Sequence, residues 1–531
     1  MDAVTPSSVA IGGPLATAIV VNFALLTFAI LRYIAGRDLP RFLSLKQIVR
    51  DIRPLKNITR LDLIATVVFV STNAVSVSYR VRDTTGFVRR SGILSVVNMA
   101  PLFLGTRMNL IASGCGLSLP TYVATHRWLG IMAILEGLIH AAVALWTQAP
   151  NGFAKLSDKS GIVIASVLVA IPLSSFIRRR AYEMFAATHS TLAVCAVVFI
   201  YLHTPSSHVL ESPKRYLVAV AGCLGLTWIV RLGLVLYRNV QFGSPSTQAA
   251  IRPITFALEE SSIPLEDAVH IHIRLSRPWN VRAGQYVYLT VPGAGGASVA
   301  QSHPFYIAWW YRADDDFYIV FIAQRRTGFT ERVFHMKDTR HNSGTRGGAR
   351  ALIDGPYGNE MNLDSYENVL LFATGIGIAG QLSHIAQLLK DYYDLGAKTK
   401  RVTLFWQVDS EIQLGWVADR MKQLRELDEK SQVLHIYLFV VGGFLSRKAG
   451  STDFVERGER IVVTYRAMDT SYLADAELGR HGGSTVISLC ADSQTVDQVR
   501  GLVRRRADAR VHVKCLDFCP ETARHAGALP A

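Results

Sequence analysis

Apolar residues in this chain follow two rhythms. Up to about residue 237 they run almost unbroken in stretches of bilayer-spanning length, for which about 20 residues suffice. Seven such segments stand out, at 9–34, 61–79, 93–115, 122–146, 161–177, 185–203 and 216–237. After Arg238 the apolar runs shorten, alternate with polar residues and are punctuated by Gly and Pro. Segments 268–275, 285–291 and 317–322 are rich in β-branched and aromatic residues, which predicts an antiparallel β-barrel reaching to about Asp354. Beyond Asn368, strand-like runs at 369–372, 401–406, 434–441 and 485–489 alternate with helical stretches at 381–393 and 416–427. That alternation predicts a parallel sheet with crossover helices. The polar, Gly-containing stretch 341–350 reads as a loop excursion, and no internal repeat is evident.

The expected architecture is multi-domain: an α-helical transmembrane bundle of about seven helices over 1–238, an antiparallel β-barrel over 239–362 and a doubly wound α/β domain over 363–531. Composition agrees. Half of the 531 residues are hydrophobic, and the mean hydropathy is +0.24, too apolar for a soluble enzyme of this size. The net charge of +15 changes the picture only in where it lies. Arg32, Arg37, Arg41, Lys46, Arg50, Arg53, Lys56 and Arg60 fill one loop, and Arg178, Arg179 and Arg180 another, which is how a membrane protein marks its cytoplasmic side. The basic residues therefore imply a lipid bilayer as partner, and no nucleic acid. The N-terminus is expected outside, with everything after Arg238 in the cytosol. Arg80, Arg82, Arg89 and Arg90 run against this orientation. The N-terminus lacks the pattern of a secretory signal peptide, so segment 9–34 reads as an uncleaved first helix.

Six cysteines are scattered. Cys115, Cys195 and Cys223 lie in or beside apolar runs, as small buried side chains do. Cys515 and Cys519 are four apart, without further Cys or His at metal-ligand spacing, and no disulfide framework is evident.

The candidate chemistry begins with four histidines. His126 and His140 lie on the fourth apolar segment, His189 and His203 on the sixth, each pair 14 residues apart. On a helix, 14 steps of roughly 100° fall about 40° short of four turns, so both members share a face, separated by roughly 21 Å along the axis. Polar groups at that depth are costly and face a partner. Two parallel helices so marked can clamp two stacked ligands, His126 with His189 near the inner leaflet and His140 with His203 near the outer. Haem suits the arrangement, since its macrocycle is apolar and its iron takes axial imidazole. Interhelical hydrogen bonding by each His is the alternative reading. A single tetrahedral zinc is geometrically poor, because ligands so far apart on one helix cannot converge. His208 is an alternative outer ligand, and Arg107 and Arg127 are candidate propionate partners or headgroup anchors.

Further motifs follow in the soluble part. Ala283-Gly284-Gln285-Tyr286 precedes His303-Pro304-Phe305-Tyr306-Ile307. Arg326-Thr327-Gly328-Phe329-Thr330 stands where a helix is expected to open, and Asp354-Gly355-Pro356-Tyr357-Gly358 reads as a turn. Thr374-Gly375-Ile376-Gly377-Ile378-Ala379-Gly380 follows a predicted strand and precedes a helix, the setting in which G-x-G-x-x-G lets backbone approach a pyrophosphate. Cys490-Ala491-Asp492 ends a late strand.

With these motifs the chain resembles the fungal ferric/cupric reductase family, within the wider group that includes NADPH oxidases, from about residue 90 to 519. The resemblance implies FAD along His303, Pro304, Phe305, Tyr306 and Ile307, where the family often has Thr or Ser in place of Tyr306. Its pyrophosphate would lie at Arg326, Thr327, Gly328, Phe329 and Thr330, a charge and helix N-terminus suited to phosphate. It places NADPH, or NADH, at Thr374, Gly375, Ile376, Gly377 and Gly380. Cys490 falls beside the nicotinamide, with Ala491-Asp492 replacing the family's Gly-Pro. Asp409, after the second sheet strand, disfavours a 2′-phosphate, and Lys398, Lys400 and Arg401 offset it. The implied activity is an NAD(P)H-dependent ferric-chelate reductase, passing electrons through FAD and two b-type haems to chelated Fe(III) or Cu(II) across the plasma membrane, in iron or copper uptake. No catalytic acid or base is required. Rival readings are a superoxide-generating NADPH oxidase, distinguished by its product, and an oxidoreductase of a small metabolite. A transporter or structural membrane protein with a degenerate reductase tail would lack a haem spectrum.

Overall fold

A computed structural model describes residues 60–104, 119–148, 156–178, 181–204, 214–241, 246–258, 261–295, 302–341, 349–444, 454–456, 460–506, 508 and 510–520. The chain divides into two compact units, Met1–Arg231 and Leu232–Ala531.

The first unit is helical. Its described elements are α1 (Arg60–Ser78), α2 (Thr84–Met99), α3 (Leu119–Gln148), α4 (Leu156–Ser174), α5 (Tyr182–His203) and α6 (Lys214–Asn239), which runs on into the second unit. Among the described residues four helical stretches are long and apolar enough to cross a bilayer: Tyr122–Thr147, Lys159–Ile177, Tyr182–His203 and Lys214–Asn239. Their apolar side chains point outward. Ile229 is 71% exposed and Trp146 87%, which water would penalise and lipid does not. The expected span 9–34, the basic loop that follows it, and Arg107 and His208 lie outside the described residues.

One span differs from its expectation. Instead of starting at residue 93, helix α2 starts at Thr84 and gives way to a 3-10 turn at Ala100–Leu104. The cause is a pair of end caps that apolar counting misses. Asp83 accepts from Gly86 N at 3.3 Å at the start of α2. Arg90, one turn further in, donates to Tyr79 O at 2.5 Å and Ser76 O at 3.4 Å, closing the C-terminal carbonyls of α1. The arginine that ran against the charge rule is thus placed by local hydrogen bonding. Helix α2 is then buried from Ile93 to Met99. Val96 and Met99 pack with Ala133, Ala196 and Ile200. Polar groups at this depth are joined: Asn98 Nδ2 reaches Glu136 Oε2 and Asn73 Oδ1, both at 2.8 Å, and Asn73 Nδ2 donates to Phe69 O at 2.8 Å.

The second unit opens with antiparallel strands: β1 (Gln248–Leu258), β2 (Ser261–Arg274), β3 (Tyr286–Thr290), β4 (His303–Tyr306), β5 (Trp309–Ala313) and β6 (Asp316–Gln324). Helix α7 (Phe329–His341), β7 (Ala349–Arg350) and β8 (Leu352–Tyr357) follow. They form two sheets, β5-β6-β2-β1-β7 and β4-β3-β8. Alternate residues Val269, Ile271 and Ile273 of β2 enclose a core with Val287, Leu289, Ile319 and Phe321, the period of two that half-buried strands require. Most of the 341–350 excursion lies outside the described residues.

The chain then alternates: β9 (Asn368–Thr374), α8 (Ile378–Tyr393), β10 (Arg401–Val408), α9 (Ala418–Leu427), β11 (Leu434–Val440), β12 (Phe454–Glu456), β13 (Ile461–Thr464), α10 (Thr470–Arg480), β14 (Thr485–Cys490), α11 (Ser493–Arg506) and β15 (Val511–Cys515). The sheet order is β12-β13-β11-β10-β9-β14-β15, parallel except where β12 meets β13. Strand β9 is buried throughout, as a central parallel strand covered on both faces must be. Val369, Leu371 and Ala373 enter one core, Leu370 and Phe372 the other. The chain leaves β9 for β10 on one side and reaches β14 on the other, so the crevice at their carboxyl ends is a topological switch point.

Candidate functional site

In the membrane unit, α3 and α5 bring the four histidines together in two pairs. The rings of His126 and His189 have centroids 6.3 Å apart, and those of His140 and His203 6.0 Å. An iron held axially by two imidazoles at about 2 Å each, with each ring centre roughly 1.1 Å behind its nitrogen, needs centroids about 6 Å apart. Two rings in direct hydrogen-bonded contact would stand closer. Each pair offers only two ligands, and among the described residues no group of three or more His, Cys, Asp or Glu could hold an ion. A macrocycle that brings its own equatorial nitrogens fits this donor set, whereas a protein-only zinc site does not.

Second contacts orient the rings. His140 Nδ1 lies 2.7 Å from Val88 O; as the donor, it leaves Nε2 directed elsewhere, the arrangement that fixes a ligating tautomer. A Cβ on Gly92 would stand 2.9 Å from His140 Nδ1, and one on Gly161 3.0 Å from His203 Cε1. Neighbouring helices therefore yield space to both members of this pair. His189 packs on Phe185 with centroids 5.3 Å apart, and its Nδ1 is buried without a hydrogen-bond partner. Arg127 is exposed.

In the second unit, the 303–307 and 326–330 segments meet face to face. His303 on β4 stacks on Phe329 at the start of α7, with centroids 4.3 Å apart and planes 17° from parallel. Phe305 lies behind them against Phe321 at 5.8 Å, and Ile307 is fully buried. Pro304, Arg326 and Thr327 are exposed, and Gly328 has φ +99°. Thr330 Oγ1 accepts from Arg326 N and donates to Arg326 O, both at 3.0 Å, bracing the turn that opens α7. A braced turn with an arginine at a helix N-terminus suits a pyrophosphate.

Each glycine of the loop after β9 has its own reason. Gly375 has φ +48°, and its carbonyl accepts from Trp406 Nε1 at 2.9 Å. A Cβ on Gly377 would fall 1.8 Å from Cys490 O. A Cβ on Gly380 would meet Leu516 Cδ2 at 2.5 Å, and Cys490 Sγ and Tyr306 Cδ2 at 3.2 Å. The third glycine therefore stands where β4, the loop after β9 and Cys490 converge. Ile376 is half-buried beside it. Thr374 Oγ1 accepts from Asp492 N at 2.8 Å, and Asp492 caps α11 through Gln494 N at 2.9 Å and Thr495 N at 3.0 Å. Asp492, where the related family carries Pro, thus serves as a helix cap.

The sequence did not reveal three groups. The hydroxyl of Tyr306 accepts from Phe518 N at 2.7 Å and donates to Phe518 O at 3.2 Å, while the Phe518 ring meets Tyr286 edge-on at 4.8 Å. Gln387 Oε1 and Ser383 Oγ on α8 accept from Ala283 N at 2.9 Å and Gly284 N at 3.3 Å, docking the 283–286 turn. Trp416 donates to Asp267 at 3.1 Å and accepts from His270 Nε2 at 2.8 Å through its carbonyl. All three join residues with no proximity in sequence, and only the aromatic character of Phe518 could have singled it out.

Comparison with known proteins follows the same division. Residues 91–200 match the family described as ferric reductase like transmembrane component, 255–361 an FAD-binding domain, and 366–442 the ferric reductase NAD binding domain. A probable cell surface ferric reductase of Aspergillus oryzae is 25% identical over 66% of this chain and 47% of its own length. Ferric reductase transmembrane component 4 of Saccharomyces cerevisiae is 28% identical over 57% and 39%. Ferric/cupric reductase transmembrane component 1 of Candida albicans is 23% identical over 86% and 61%. The chain spans about half the length of the curated relatives it matches. Among solved structures, a point mutant of ferredoxin-NADP+ reductase from Plasmodium falciparum covers 51% of this chain and 94% of its own, with 11% identity and a TM-score of 0.33.

Proposed function

We propose that this chain, which belongs to the ferric reductase transmembrane component family, carries electrons from cytosolic NADPH, or NADH, through FAD and two b-type haems to chelated Fe(III) or Cu(II) across the plasma membrane. The observation that carries the reading is the double imidazole clamp. Two helices hold facing rings at 6.3 and 6.0 Å in two places along one face. His126 with His189 would hold the inner haem, and His140 with His203 the outer.

Bound FAD would supply the conversion from two-electron hydride to single-electron chemistry, and bound haem the single-electron relay. The protein's own residues do the rest. Gly377 and Gly380 bring the helix start against β14 so that backbone amides approach a pyrophosphate. Tyr306 and Cys490 hold the 518 main chain beside the end of β14 through hydrogen bonds to Phe518. His303 and Phe329 together offer one stacked aromatic surface on the flavin strand. The main-chain carbonyl of Val88 holds His140 in one tautomer. Reduction of an outer metal chelate by electron transfer requires no acid or base from the protein. This spares the site any titratable dyad.

The purified full-length protein tests this directly. Under anaerobic NADPH it is expected to develop the spectrum of a reduced b-type haem and to generate Fe(II) from a ferric chelate. Superoxide as the main product in air would replace the metalloreductase with an oxidase. A haem-free preparation with no spectral change would overturn the electron-transfer reading.

A further inference from the structure

Three cysteines gather near the carboxyl ends of β14 and β15, and two of them, Cys515 and Cys519, have no part in the proposed electron transfer. Cys490 is buried at the end of β14, Cys519 is exposed, and Cys515 lies between them at the end of β15. Both outer members are tied to the same short segment. Cys490 Sγ donates to Phe518 O at 3.4 Å. Cys519 Sγ lies 3.8 Å from Leu516 O and 3.9 Å from Leu489 O. Each sulfur thus lies against the chain that carries the other: Cys490 Sγ at the carbonyl of the residue before Cys519, and Cys519 Sγ near the carbonyl of the residue before Cys490. Cys515 is held apart by Arg500, whose Nη2 approaches its sulfur at 3.1 Å.

The two thiols are unequal. Cys519 is held below the ordinary thiol value by the hydrogen bond from Cys490, with help from the main-chain N–H of Ala491 and from Arg500, against burial and Asp517. Cys490 is pushed up by that same hydrogen bond, by burial, and by Cys519 and Cys515. An exposed cysteine whose pKa is lowered, beside a buried cysteine whose pKa is raised, is the arrangement of an attacking and a resolving cysteine.

We propose that Cys519 and Cys490 form a reversible disulfide, by exchange with a small soluble disulfide such as oxidised glutathione, that fastens the 516–519 segment beside the nicotinamide position. The Cys519 thiolate attacks one sulfur of the small disulfide, whose S–S bond breaks, and one small thiolate leaves and takes a proton from solvent. Cys490 then gives its proton to solvent and attacks the Cys519 sulfur of the mixed disulfide, expelling the second small thiol. Two protein thiols are oxidised by two electrons, and one small disulfide is reduced to two thiols. Excess dithiol reverses both steps. Phe518 precedes Cys519 in the chain, accepts from Cys490 Sγ through its carbonyl, and is already bonded to Tyr306 and packed on Tyr286. The closed disulfide therefore holds this ring between the flavin strand and Cys490, where a nicotinamide must enter. The disulfide stands on the thiol geometry, and its effect on hydride transfer rests on the reductase reading.

The test uses the full-length, FAD-loaded protein titrated with oxidised glutathione. Peptide mapping under non-reducing conditions is expected to give a Cys490–Cys519 link with Cys515 still free. If about nine-tenths of the molecules are linked, the amplitude of rapid flavin reduction by NADPH should fall about tenfold, because only the open fraction binds productively. Dithiothreitol should restore it. The Cys519→Ser variant should keep the reduced protein's rate and lose its sensitivity, whereas Cys515→Ser should behave as the parent. No link, a link through Cys515, a link that leaves flavin reduction undiminished, or equal inhibition of Cys519→Ser would each overturn the proposal. Failure of the untreated protein to reduce flavin would count against the reductase reading instead, while the linked peptide is scored without reference to activity.

Discussion

The two units build their candidate sites by opposite means. In the membrane unit the site consists of protruding side chains, four imidazoles repeated along two helices. In the reductase unit its centre is a place where side chains are missing: Gly377 and Gly380 admit the backbone of Cys490 and the ring of Tyr306. The difference follows from the solvent of each unit. A helix in lipid satisfies its own main chain and recognises a ligand with what projects from it. A parallel sheet ends in turns whose main-chain groups are themselves the binding surface.

Substitutions sharpen this contrast. The largest effect is expected for His189→Ala. Losing one axial nitrogen should remove about half of the haem absorbance and slow NADPH-driven Fe(III) reduction on the order of 100-fold or more, while flavin reduction by NADPH is unchanged. Retention of both haems would break the clamp. Next comes Gly377→Ala, which adds the smallest possible side chain where it would stand 1.8 Å from Cys490 O. It should destabilise the reductase unit by about 3 kcal/mol or more, read as earlier release of FAD on heating with the haem spectrum intact. A neutral result would show that the loop yields.

A comparable loss should come from acid. Burial pushes His384, on α8 behind Gly284, down to about 4, with Lys514 adding to the shift. The unfolded chain therefore binds this proton first, at its ordinary value of 6.5. The stabilisation is complete above pH 6.5 and is lost as pH falls from there to about 4, amounting to roughly 3 kcal/mol. Burial drives His272 to about 3 with the same sign. Denaturant unfolding followed by flavin fluorescence should show stability rising with pH across this window, and His384→Gln should flatten the rise. The smallest effect belongs to Tyr306→Phe, which removes the two hydrogen bonds to Phe518 at a cost of about 1–2 kcal/mol. That loss should appear as faster hydrogen exchange of the 516–519 amides, with little change in global unfolding.

The same contrast explains what could be read from the chain beforehand. A spacing of 14 residues is local information, so the shared face of His126 and His140 needs no tertiary knowledge. Strand β9 and its glycine loop are likewise contiguous. What escaped notice is non-local. Phe518 meets Tyr306 across 212 residues, and Trp416 meets Asp267 across 149, without any periodicity to announce either. The start of α2 departs from the apolar pattern for another reason. In sequence Arg90 reads as a charge beside a membrane, whereas its position follows from the carbonyls of Ser76 and Tyr79.

The bond from His140 to the carbonyl of Val88 has an evolutionary consequence. Any amino acid at position 88 that remains helical supplies the same acceptor, so no side-chain replacement there deletes it. Orientation of the ring is thereby insulated from drift. Relatives can diverge freely at that site while the imidazole keeps its aim, and a search for co-varying positions would pass over the contact.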